Sequence, residues 1–114
     1  MLAVGGHVLD PLEPQSLRMA TPFGGGVGGT RREGCGAFNG GVMVIGGLHG
    51  RTKAGEDDQR AYDLAAQYHQ AFLDQFGTTQ CDPIRKCFQK PDGSHGCDQV
   101  VEWAARTLLH LLAK

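Results

Sequence analysis

The sequence predicts an all-α fold, a small single-domain helical bundle around a central glycine-rich buried helix, and three observations predict it. Apolar side chains recur at spacings of three and four toward the middle and the end of the chain, the signature of helices with one buried face. Prolines and glycines stand where helices start and stop, with Pro14 and Pro83 in first turns and Gly77 after a last turn. The least polar stretch, Gly40 to Leu48, is apolar or glycine on every face, and the length of the segment around it favours a buried helix over a strand.

The bulk composition bounds what such a bundle can do. At 114 residues, 40% hydrophobic and 20% charged, the chain fits one domain, residues 1–114, with one core. Eleven basic residues against twelve acidic ones leave no electrostatic footprint for nucleic acid. The longest apolar run, nine residues, is far short of the roughly 18 needed for a membrane-spanning helix. The N-terminus lacks the basic region and apolar length of a secretory signal, so the expected compartment is the cytoplasm. Four cysteines in a cytoplasmic chain of this size point to catalytic, redox or metal-binding use rather than to a static disulfide framework.

In order along the chain, Met1 to Leu9 reads as the last turns of a helix that stops at Asp10-Pro11. A chain rarely opens in the last turns of a helix, so the expected domain start lies upstream or this piece is a short terminal remnant. A second helix is expected from Pro14 to about Thr21, with Leu17 and Ala20 inward and Arg18 outward. Pro22 ends it, and Gly24, Gly25, Gly26, Val27, Gly28 and Gly29 follow as a loop. That loop is either a plain connection or a nest of backbone N–H groups around an anion, a sulfur cluster or a thiolate. It has no following Lys-Ser/Thr and no preceding strand, so it is neither a P-loop nor a dinucleotide fingerprint.

From Phe23 to Gly50 the chain gathers twelve of its eighteen glycines, an entropically costly choice that demands close backbone approach or positive φ. The central helix is expected from Cys35 to about Leu48, with Gly36 and Gly40 leaving a groove for another helix backbone. A basic loop, Arg51-Thr52-Lys53, leads to Glu56-Asp57-Asp58, expected in the first turn of the next helix, where negative charge is favoured. That helix runs to about Phe76 with Ala61, Ala65, Tyr68, Phe72 and Phe76 on one stripe, read as core. After Gly77, Pro83 opens a short helix through Phe88, Lys90 to Gly96 is a turn-rich loop, and the last helix runs from Cys97 to Leu112. Its expected inner stripe is Cys97, Val101, Ala104, Leu108 and Leu112.

Cys35 and Cys97 fall at helix N-termini, where unpaired N–H groups and the helix dipole favour a thiolate, and Cys81 stands just ahead of a short helix. Cys35, Cys81 and Cys97 are therefore the candidate reactive or ligand cysteines, with inert packing as the alternative. Cys87 has no such placement, and the four cysteine spacings match no standard zinc site. His95 is a candidate for raising thiolate content at Cys97 or for a fourth ligand. Asn39, one turn after Cys35, is a candidate hydrogen-bond donor to sulfur, with packing as the alternative.

Taken together, Phe23-Gly24-Gly25-Gly26-Val27-Gly28, then Cys35-Gly36-Ala37 with Gly40, then the run from Phe72 to Cys81 (FLDQFGTTQC), then Cys97-Asp98-Gln99-Val100-Val101 resemble one family across nearly the whole chain. That family is C_GCAxxG_C_C, bacterial and archaeal proteins described as redox-active. The resemblance implies a helical fold and a cysteine cluster in which Cys81 corresponds to the third cysteine and Cys97 to the fourth. The family's first cysteine lies in an N-terminal helix one or two turns ahead of Met1 to Val4, and this chain has no cysteine before Cys35. Either that cysteine is lost, or the start lies downstream of it, which would account for a helix that opens near its end.

The expected function is redox chemistry at Cys35, Cys81 and Cys97, either thiol–disulfide exchange, with Cys35 as the attacking thiolate and a neighbour resolving, or electron transfer, with a redox partner protein or a small thiol or disulfide. Gly24, Gly25, Gly26 and Gly28 are the candidate cofactor-binding residues. An iron–sulfur cluster or another metal, held by the same three cysteines, is the alternative chemistry. The competing class is a non-catalytic helical module, a homodimer packed through the glycine face.

Overall fold

In the computed structural model, which describes residues 2–9, 11–87 and 97–113, the chain forms six α-helices among the described residues. These are α1 (Leu2–Val8), α2 (Pro14–Ala20), α3 (Gly36–His49), α4 (Gln59–Phe76), α5 (Cys81–Cys87) and α6 (Cys97–Leu112), with a single 3-10 turn at Thr21–Phe23. The all-α class and the central helix are as the sequence predicts. Helix α3 packs against α4, α6 and α1, and α4 packs against α6.

The core is a run of side chains on these facing helices. Val44, Ile45, Leu64, Tyr68, Phe72, Ile84, Val100 and Leu108 are essentially inaccessible to solvent. Each large aliphatic or aromatic side chain so buried contributes about 1.5–3 kcal/mol relative to exposure. An aromatic chain runs through the centre, with Phe72 meeting Phe38, Tyr68, Phe76 and Trp103 at centroid distances of 5.0–5.5 Å, three of the four pairs edge-on. Such contacts join α3, α4 and α6 by more than their buried area alone.

Three details differ from the sequence expectation. The inner face of α6 carries Val100, Ala104, Leu108 and Leu111, whereas Cys97 and Val101 are exposed. Both stripes satisfy helical spacing because the sequence doubles its apolar residues as Val100-Val101 and Leu111-Leu112, and packing against α3 and α4 selects one. On α4 the fully buried positions are Leu64, Tyr68 and Phe72, with Ala61, Ala65 and Phe76 half-buried. Glu56, Asp57 and Asp58 precede α4 rather than fill its first turn. Asp57 Oδ1 accepts the Gln59 N–H at 3.0 Å, and Glu56 Oε1 accepts from Thr52 N–H and Oγ1 at 3.2 and 2.9 Å. Asp57 thus caps the first N–H of α4 while Glu56 ties down the loop, and the Thr52 hydrogen bonds hold the exposed Glu56 carboxyl below its usual range.

The glycine face of α3 is occupied within the chain itself. A β-carbon at Gly41 would stand 2.6 Å from Tyr68 Cε2. The bare backbone there lets Tyr68 lie against α3 and donate its hydroxyl to Ala37 O at 3.1 Å. Gly41 is thus a site of close approach beyond the expected Gly36 and Gly40 pair, and Gly40 is buried as well.

Candidate functional site

Two short extended segments precede α3 and α5 and bring their first cysteines together. Gly34 and Gln80 form an isolated antiparallel bridge. Cys35 N–H donates to Thr79 O at 2.7 Å and Cys81 N–H donates to Glu33 O at 2.8 Å. This pattern makes Gly34 and Gln80 the closely spaced, non-hydrogen-bonded pair, and it sets Cys35 and Cys81 one step beyond that pair, on the same side of the ribbon. At Gly34 the bare backbone leaves room for Asn39, whose Nδ2 would stand 2.8 Å from a β-carbon there. Asn39 thus packs over the bridge.

The glycine loop covers the same place. Gly25, Gly26, Val27, Gly28 and Gly29 all have positive φ, between 61° and 72°. Five consecutive residues in this region form a left-handed turn that L-residues other than glycine seldom enter. Its amides are largely satisfied inside the loop: Gly28 N–H donates to Pro22 O, Gly29 to Gly24 O and Arg31 to Gly25 O, at 2.7, 3.1 and 2.8 Å. Gly24 N–H donates to Thr21 O at 3.2 Å. A β-carbon at Gly26 would stand 2.7 Å from both Arg31 Cα and Cys81 Cβ. Glycine at position 26 is what lets the loop close over Cys81.

A pocket of about 380 Å³ opens beneath the loop. Cys35, Cys81 and Cys97 all line it, together with Arg31 and Arg85, and Gly25 contributes the loop's part of the wall. Its remaining surface is mostly apolar, with Ile84, Val100 and Val101 among the lining residues. Cys35 stands at the N-cap of α3, Cys81 is the first residue of α5 and Cys97 the first of α6. Cys35 and Cys81 are each 8% exposed, while Cys97 is exposed, and all three are free thiols. Solvent therefore reaches Cys97 most easily, the reverse of the core-facing position its sequence stripe suggests.

The Cys35 and Cys97 sulfurs are close enough to influence the protonation of Cys81. Burial pushes the Cys81 thiol up, and the Cys35 and Cys97 sulfurs add to that, while Arg31 and Arg85 pull it back down. Burial, then the Cys35 sulfur, push the Tyr68 phenol well above its ordinary range. Beside the pocket, Asp82 is held below the usual carboxylate range, chiefly by Lys86, whose Nζ is 2.9 Å from Oδ2.

Among the sequence candidates, Cys35, Cys81, Cys97 and Gly25 line this one pocket. Gly26 lies against Cys81, and Gly24 and Gly28 have their amides bound within the loop. His95 and the Lys90 to Gly96 turn lie outside the described residues, as does the side chain of Cys87. Arg31 and Arg85 were not singled out by sequence; the only signal for them is that each lies four residues from a cysteine, which has no meaning until the fold brings the two segments together.

Fold and pocket together define a class, an all-helical protein that directs three thiols from separate helix starts into one cavity. The family model described as Putative redox-active protein (C_GCAxxG_C_C) matches residues 1–111, and the chain belongs to that family. No curated protein and no solved structure matches it.

Proposed function

We propose that the protein is a thiol–disulfide exchange protein in which Cys35, Cys81 and Cys97 are the redox-active set. The observation that carries this reading is their shared pocket, two thiols buried and one open to solvent beside two guanidinium groups. The exposed Cys97 thiolate attacks one sulfur of a partner disulfide, the S–S bond breaks, and the other partner sulfur leaves as a thiolate that takes a proton from water. Cys81, once deprotonated, then attacks the Cys97 sulfur of the mixed disulfide. A Cys81–Cys97 bond forms and the second partner thiol departs. Two electrons pass from the two protein thiols to the partner disulfide. Arg31 and Arg85 favour the Cys81 thiolate against its burial, and Cys35 lies on hand as an alternative resolving thiol.

A metal or iron–sulfur centre fits the residues less well. Among the described residues no group of three or more His, Cys, Asp or Glu side chains is arranged to hold a metal ion, and thiol exchange calls for none. The two chemistries separate by experiment. Reduced protein should be colourless, and limiting iodoacetamide should label Cys97 about tenfold or more faster than Cys35 and Cys81, a difference that denaturant abolishes. A brown anaerobic preparation with visible absorption, or equal labelling of all three cysteines in the folded state, would sink the dithiol reading.

A further inference from the structure

The pocket has a chemical character beyond its thiols, and it bears on what kind of disulfide enters. Its size, about 380 Å³, is that of a small-molecule site, which ordinarily falls between about 300 and 1,000 Å³. The lining joins an apolar floor, Ile84, Val100 and Val101, to two guanidinium groups, Arg31 and Arg85, that come from different segments of the chain. Arg31 is placed by the left-handed loop, with φ 60° and its N–H bound to Gly25 O, and Arg85 is placed one turn into α5. Both guanidiniums act on the Cys81 sulfur, so both lie within electrostatic reach of the reacting centre. The neighbouring carboxylate, Asp82, pairs with Lys86 at 2.9 Å and also lies within electrostatic reach of Arg85 and Arg31, one acid among three cations.

Resting on the thiol-exchange reading, we propose that the substrate is a low-molecular-weight disulfide whose thiol halves carry carboxylates. One half seats its apolar part on the Ile84–Val100–Val101 floor, and its carboxylate faces Arg31 and Arg85. The balance is RS–SR plus the Cys97 and Cys81 thiols giving two RSH and the Cys81–Cys97 disulfide, so the substrate is the oxidant and the protein the reductant. A planar guanidinium pair suits carboxylate recognition by its fixed fork of donors, and a charged cleft of this kind raises the local concentration of an oppositely charged substrate.

The test uses the full reduced chain and three disulfides of similar reactivity but different charge: oxidised glutathione (anionic), hydroxyethyl disulfide (neutral) and cystamine (cationic). Thiol loss is followed by intact mass. Oxidised glutathione should react about tenfold or more faster than cystamine at low ionic strength, with the ratio shrinking as salt rises. Arg31→Gln and Arg85→Gln should each lower the glutathione rate several-fold more than the hydroxyethyl disulfide rate, which falls only through the weakened Cys81 thiolate; equal loss with both reagents would overturn the carboxylate preference. The charge series on the unmodified chain stands even where a variant folds poorly. Equal rates, or a faster cystamine reaction, would overturn the carboxylate preference and leave thiol exchange intact. Failure of all three reagents to oxidise the protein would overturn both.

Discussion

Gly41 and Tyr68 illustrate how one absent β-carbon positions a side chain against the central helix. Tyr68 is fully buried, stacks on Phe38 at 5.6 Å and reaches Ala37 O with its hydroxyl. Gly41→Ala should force Tyr68 away and cost about 1–3 kcal/mol, the range for overpacking a filled core. A thermal melt reads it as a fall in midpoint of several degrees; an unchanged midpoint would contradict the close approach. Protonation gives a second residue-scale outcome. The folded chain holds the Cys81 and Tyr68 protons more tightly than an unfolded chain, where a thiol titrates near 8.5 and a phenol near 10. Both groups are raised, so their contribution is fully present below about pH 8.5 and is lost as pH climbs above it. The urea midpoint should therefore hold steady up to about pH 8 and then fall, and Cys81→Ser and Tyr68→Phe should each make that fall shallower. A midpoint that stays level through about pH 10.5 would argue against both shifts.

At the scale of elements, the glycine loop makes the sharpest demand. Val27 is a β-branched residue at φ 68°, in a region that costs such a side chain about 1–3 kcal/mol, and it is partly exposed, so little burial offsets the strain. Val27→Gly should raise stability by about 1 kcal/mol in a denaturant titration without altering which cysteine labels first. A destabilised variant would mean that the left-handed turn is not the loop's resting form. The helices themselves were legible in the sequence, since helical periodicity on residues 59–76 and 97–112, Pro14, Pro83 and Gly77 are local signals. The rotation of α6 was not, because doubled valines and leucines support two faces equally and only α3 and α4 choose between them. Nor was the Gly34–Gln80 bridge, since pairing of so few residues across more than forty positions leaves no period to read. The loop was legible as a glycine excess near a cysteine; its handedness and its contact with Cys81 emerge only from the packing at Gly26.

The whole molecule explains why cysteines so far apart in the chain face one cavity. The aromatic chain through Phe38, Tyr68, Phe72, Phe76 and Trp103 locks α3, α4 and α6 together. The bridge then ties the start of α5 to the start of α3, and the first turn of α6 comes to the same rim. The three cysteines were named from sequence because each stands at or next to a helix start, whereas the two arginines that colour the pocket electrically emerged only from the fold. Disulfide mapping reads the convergence of the three thiols without any assumption about the partner. Fully reduced protein, oxidised with a small disulfide under dilute conditions, quenched with acid and digested, should yield an intramolecular bridge that includes Cys81, joined to Cys97 or to Cys35. Peptides in which Cys35, Cys81 and Cys97 all remain free thiols after that treatment would contradict it.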